Sequence, residues 1–173
     1  KDGKGRYLFP GLINTHTHLY QDIMKGMGSD LSLEDWFPKS MAPAGAVLRE
    51  RHVAAGVKLG LAEAIRCGVT TVADYMQLQP VKGLGKLELD IAKDMGVRMV
   101  YGRGYRDIGK KELVEKAEDV FADVTALKEE FEGDGMYRVW LAPAAGWGAS
   151  LELLKATREY ADRNATPIMM HMF

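Results

Sequence analysis

Short apolar runs and helical stretches take turns along the whole chain, and that alternation limits the fold more than any other feature. "GLINTHTH" (11–18) reads as a strand, and after a Pro- and Gly-rich stretch Val53, Val57, Leu61, Ala64 and Ile65 recur at helical spacing over 49–66, with Gly68 as a stop. "VTTVADY" has the β-branched content of a strand, Leu84, Leu87, Ile91 and Met95 mark a helix ended by Gly96, and "VRMVYGRGY" is a third strand. The steps Leu113, Ala117, Val120, Val124, Leu127 and Phe131 predict a helix over 113–131 whose charged opposite face is a solvated surface. "YRVWLAPAAG" is a fourth strand, Ser150 caps a fourth helix using Leu151, Leu154, Thr157 and Ala161, and "IMMHMF" (168–173) is a short fifth strand.

Strands alternating with amphipathic helices imply parallel pairing and an α/β fold. Two architectures accommodate five strands and four helices: a complete doubly wound sheet, or a (β/α)8 TIM barrel stopped short, since a whole barrel takes about 250 residues. Dinucleotide binding calls for a third glycine that "GRGYRD" and "GLGKLE" lack. The chain of 173 residues is expected to be a single unit, residues 1–173, with no linker. Its formal charge of −1 gives no electrostatic reason to expect nucleic acid or an acidic membrane as partner. No run is apolar enough to span a bilayer, and the single cysteine, Cys67, suits a reducing cytoplasm. Lys1 is not an initiator methionine, so the sequence can begin inside a longer chain.

Residues i and i+2 of a strand share a face, so His16 and His18 point together while Thr17 points away. Two imidazoles near the C-terminal end of a strand can converge on one ion, and neutral imidazole suits zinc, iron, nickel or copper. An isolated H-x-H pair reads equally as two half-exposed histidines on an edge strand. His171, in the fifth strand, shifts the balance towards a metal site, because three histidines at strand ends of a parallel barrel can share a centre. His52 lies beside Arg49 and Arg51 and reads as surface.

"PGLINTHTH" resembles the first-strand motif of the amidohydrolase superfamily, P-G-(apolar)2-(N/D)-x-H-x-H, which carries two metal ligands, and "PIMMHMF" resembles the fifth-strand motif that carries a third. "KGMGSDLSLEDWF" and "LAEAIRCGVTTVADY" resemble the substrate loop, first helix and second strand of the deaminase and triazine-hydrolase branch. The resemblance covers essentially the whole chain. It implies a partial TIM barrel, with His16, His18 and His171 as ligands of one divalent ion, zinc or alternatively iron. Binuclear cyclic-amide hydrolases carry a lysine on strand four, where this chain has none, so the mononuclear group is implied. That group includes deaminases of nucleobases, guanine-like bases, pterins and adenosine or S-adenosylhomocysteine-type nucleosides, and the atrazine chlorohydrolase-like enzymes.

The resemblance implies that the family's further metal and acid/base residues, with much of the barrel, lie beyond Phe173, and that the small β-sandwich, built from segments before the first strand and after the last, is missing from this chain. The implied whole is therefore a cytoplasmic hydrolase that removes an amino or chloro group from a small heterocycle. Its partners would be the remaining barrel segments and a second copy of itself. A non-catalytic truncated chain is the alternative. For the pocket, Gln21 and Trp36 follow strand one and can hydrogen-bond and stack on a substrate ring, or cap and pack the loop. Arg103 and Tyr105, ending strand three, can read a polar substituent or carboxylate, whereas Asp74 is expected to hold a loop.

Overall fold

In a computed structural model, residues 2–77, 79 and 81–172 are described. Four parallel strands, β1 (Leu12–Thr17), β2 (Val69–Met76), β3 (Arg98–Tyr105) and β4 (Tyr137–Pro143), form one sheet in chain order. The first crossover is not the plain loop expected from its Pro and Gly content. It holds a 3-10 turn (Leu19–Met24), α1 (Leu33–Trp36), a π turn (Phe37–Met41) and α2 (Ala42–Val47). Ser32 starts α1 by accepting a hydrogen bond from the Asp35 amide. The long helix α3 (Glu50–Arg66) leads into β2, α4 (Leu84–Met95) into β3 and α5 (Ala117–Phe131) into β4, and α6 (Leu151–Asn164) follows.

The helical period sets what is buried. Val53, Val57 and Leu61 of α3, Leu84 and Leu89 of α4, and Val120 and Val124 of α5 are inaccessible to solvent and pack against Val72, Met76, Met99, Tyr101 and Val139 of the sheet. Each such aliphatic side chain contributes about 1.5–3 kcal/mol of burial free energy. Among the described residues no helix is long and apolar enough to cross a membrane.

Gly56 and Gly60 of α3 let the 3-10 turn after β1 lie directly on the helix. A Cβ at Gly56 would come within 2.6 Å of the Tyr20 carbonyl oxygen, and one at Gly60 would strike the Asp22 carboxylate. Gly56→Ala is therefore expected to destabilise the fold by about 1–3 kcal/mol, the range for overpacking, despite alanine's better helix propensity. A urea melt of the variant measures it.

Two expectations are corrected. The fifth strand expected over 168–173 is not a regular strand over residues 168–172: Ile168 forms one parallel bridge with Leu141, the Leu141 amide donates to Pro167 and the Met169 amide to Leu141, and Phe173 lies outside the described residues. Pro167 and Pro143 have no N–H, which removes donors that a longer ladder would use. The helix expected over 113–131 starts at Ala117, because the Glu115 amide donates to the Arg106 carbonyl and Lys116 keeps an extended backbone.

Candidate metal centre

Strand parity brings His16 and His18 to one face, and the bridge of Ile168 to β4 carries His171 to the same place. The three imidazoles form a nearly equilateral triangle, with ring centroids 4.9 Å apart for His16–His18, 5.0 Å for His16–His171 and 5.1 Å for His18–His171. One ring nitrogen from each lies within 4.8 Å of the other two. The Nε2 atoms of His16 and His171 face each other at 3.3 Å, an approach that needs either a proton on one of them or a cation between them.

The His18 and His171 rings are set up as neutral donors. His18 donates from Nδ1 to the Tyr75 carbonyl at 2.6 Å, which leaves its Nε2 lone pair free to bind. Burial pulls the His18 pKa down to about 4 against that hydrogen bond, and the His16 and His171 rings push in the same direction as burial. His171 is lowered too, by burial first and by His16 second. Neutral imidazoles converging from three sides fit a divalent transition ion in chemistry and spacing. Among the described residues no carboxylate belongs to the cluster, so it supplies ligands and no general base.

The segment leaving His18 is pinned from below. The Leu19 amide donates to Asp74 Oδ1 at 2.6 Å, so Asp74 holds a loop as its position at the end of β2 suggested. Asp74 and Glu88 of α4 are both fully buried, and Asp74 Oδ2 and both Glu88 oxygens find no other partner. Burial pushes both carboxyls up, Asp74 to about 7 and Glu88 well above its ordinary range, with the Asp74 charge adding to the effect on Glu88. Glu88 is therefore the group that keeps its proton, beside the Asp74 carboxyl.

Gln21 and Trp36 do come together: with Asp22, Ser40 and Met41 they line a cavity of about 240 Å³. The Gln21 amide closes a turn on the His18 carbonyl at 2.9 Å, and its Nε2 donates to the Tyr20 hydroxyl. Arg103 does not join them. It is buried on the helix side of β3, where Nε donates to Asp123 at 2.7 Å and the two terminal nitrogens donate to Glu115 at 2.8 and 2.7 Å. Its neighbours Gly102 and Gly104 occupy the other face, so strand alternation turns Arg103 away from the histidines. Tyr105 is buried as well, its hydroxyl bonded to Thr157 at 2.8 Å.

Sequence reasoning passed over Arg106, the first residue after β3. It lines a second cavity of about 240 Å³ with Phe37, Met41, Lys110, Leu113 and Trp147, beside the first through the shared wall of Met41. Its charge acts on the hydroxyls of Tyr20 and Tyr75. Counting forward from the outward-turned Arg103 would have found it.

Residues 7–172 match the model of the amidohydrolase family. A 5'-deoxyadenosine deaminase of Methanobrevibacter smithii is 34% identical over 99% of the chain, which corresponds to 38% of that relative's length. An adenosine deaminase of Xanthomonas campestris, solved with bound zinc, is 26% identical and superposes with a TM-score of 0.82 over 94% of this chain and 36% of its own. The atrazine chlorohydrolase TrzN of Arthrobacter aurescens, solved in complex with zinc, superposes with a TM-score of 0.87 over 95% of this chain and 41% of its own at 22% identity, a likeness of fold alone. The four-stranded parallel sheet is thus part of a (β/α)8 barrel, and the chain spans well under half the length of the proteins it matches. With the histidine triangle at the C-terminal ends of its strands, this chain belongs to the amidohydrolase family.

Proposed function

We propose that His16, His18 and His171 hold one divalent ion, zinc in preference to iron, and that the whole protein is a hydrolase of amino-substituted nitrogen heterocycles. The observation that carries this reading is the convergence of three ring nitrogens within 4.8 Å. A divalent ion at such a site lowers the pKa of water from 15.7 to about 7 and so supplies a nucleophile at neutral pH. This chain's residues hold the ligands neutral and oriented, through the burial of His18 and its bond to Tyr75. Trp36 offers a ring face and Gln21 an amide to a flat heterocycle in the cavity they share. Arg103 is left out of the pocket because its donors are spent on Glu115 and Asp123.

Deamination is preferred over dechlorination, since relatives above 30% identity are named as deaminases while the chlorohydrolase shares the fold at 22%. The binuclear alternative is disfavoured by β4, Tyr137–Pro143, which has no lysine. The remaining barrel segments would cover the outer edge of β1, where Leu12 and Ile13 stand 60% and 66% exposed. Cys67, a free thiol, fits a cytoplasmic setting.

The test uses the whole protein loaded with zinc, assayed for ammonia released from adenosine-type nucleosides and guanine-type bases and for chloride released from a chlorotriazine. Ammonia release that disappears on chelation and returns with zinc is expected. Chloride release alone would move the protein to the triazine hydrolases. No zinc-dependent turnover of either class would overturn the reading.

A further inference from the structure

Tyr75 touches the histidine triangle in three ways, and nothing so far gives its side chain a role. Its backbone carbonyl accepts the His18 Nδ1 proton at 2.6 Å. Its ring stacks on His171, with centroids 4.4 Å apart and planes 28° from parallel, and meets the edge of His18 at 5.7 Å. Its hydroxyl donates to the Pro143 carbonyl at 2.7 Å and lies 3.1 Å from the Ala142 carbonyl, both at the end of β4.

The sheet explains how a side chain of β2 reaches β4 across an intervening strand. The register sets Tyr75 opposite Gly102 of β3, and Gly104 follows two residues later on the same face. A Cβ at Gly102 would run into the Met169 sulfur, so the space above β3 is fully used by its neighbours. With no side chain there, the phenol crosses β3 and anchors on β4, and the ring is 3% exposed. Met169 and Ile168 bond to the same strand through Leu141. The stack thus joins two groups held by β4, the Tyr75 hydroxyl and the segment that carries His171.

We infer that Tyr75 is a positioning residue for the metal centre: it fixes the His18 tautomer through its carbonyl and the plane of the His171 ring through its stacked phenol. This rests on the metal reading above. Outer-shell groups of this kind set the orientation of ligating imidazoles, and their loss typically weakens metal binding 10- to 100-fold. Tyr75→Phe keeps the ring and its packing but cuts the anchor to β4. Tyr75→Leu removes the stack while keeping the backbone carbonyl.

The experiment titrates zinc into the whole wild-type protein and both variants against a chromophoric chelator, and records the ligand-field absorption of the cobalt(II) forms. Urea melts of the metal-free proteins show which variants are folded. Expected are about tenfold weaker zinc binding in Tyr75→Phe and about 100-fold in Tyr75→Leu, with altered cobalt bands in both. A purely structural role would change the melt and leave the affinity and cobalt spectrum of the folded protein alone. Should Tyr75→Leu not fold, folded Tyr75→Phe decides, and an unchanged affinity and spectrum there overturn the inference. A wild-type protein that binds neither metal overturns the metal reading and this inference with it, whereas wild-type binding with indifferent variants overturns the inference alone.

Discussion

Replacing His16 and His18 together by alanine is expected to abolish metal binding in the whole protein, taking a stoichiometry near one to near zero. The two side chains supply two of the three ring nitrogens that approach within 4.8 Å of one another, and His171 alone offers a single lone pair. Each ligand removed should weaken binding by more than the roughly 10- to 100-fold that follows the loss of an outer-shell partner. Elemental analysis by plasma mass spectrometry after dialysis provides the measurement. His16 is solvent-exposed in the metal-free fold, so loss of its ring should not unfold the protein. Full metal stoichiometry in the double variant would show that the ligands lie elsewhere.

The second large effect concerns Glu88. A carboxyl whose folded pKa lies above its unfolded value keeps a proton that the unfolded chain has released, so its contribution is present at low pH and lost as pH rises through the folded value. Glu88 and Asp74 are both raised, Asp74 to about 7, so the pair lowers stability as pH climbs from the ordinary carboxylate range through neutrality. His18 acts in the opposite sense: its folded value of about 4 lies below the ordinary 6.5, so metal-free stability rises with pH across that interval. The two slopes oppose each other below about pH 6.5, and above it only the carboxyl slope is left.

Glu88→Gln offers Asp74 an amide donor that needs no titrating proton. Between about pH 6.5 and pH 8 one retained proton is worth about 2 kcal/mol. The glutamine variant should therefore decline less steeply than the wild type over that interval, by up to about that amount, keeping only the slope that burial of Asp74 imposes. Glu88→Leu removes the donor altogether, leaves the buried Asp74 carboxylate short of a partner, and should cost about 2–3 kcal/mol. Urea midpoints of the metal-free protein, collected as a function of pH, test both variants. Parallel pH profiles for wild type and Glu88→Gln would refute a proton retained on Glu88.

The parallel sheet and the histidine triangle were legible because both rest on period. The βα alternation predicts parallel pairing, and the spacing of His16 and His18 puts them on one face whatever surrounds them. Arg103 was misread for want of the same count: "GRG" places two glycines on the crowded face, Gly102 beside Met169 and Ala142 and Gly104 beside Met76 and Gln77, and that turns the arginine towards the helices. Glu88 was equally readable, four residues after Leu84 and on the buried face of α4, yet the proton it keeps depends also on Asp74, which folding brings in from β2. The start of α5 at Ala117 and the single bridge made by Ile168 were not readable. Each is decided by a backbone partner distant in sequence, Arg106 in one case and Leu141 in the other.

The contact between His16 and His171 joins positions 155 residues apart, and few other links in the chain span so much of it. An ion shared by those rings would act on the unfolded ensemble as a cross-link, removing the configurations in which the two ends wander apart. By the loop-closure relation for a ring of that size, the restriction amounts to about 5 kcal/mol, comparable to a long-range disulfide. The centre would thus be a staple as well as a ligand site, and the protein's resistance to unfolding would depend on metal supply even with no substrate at hand.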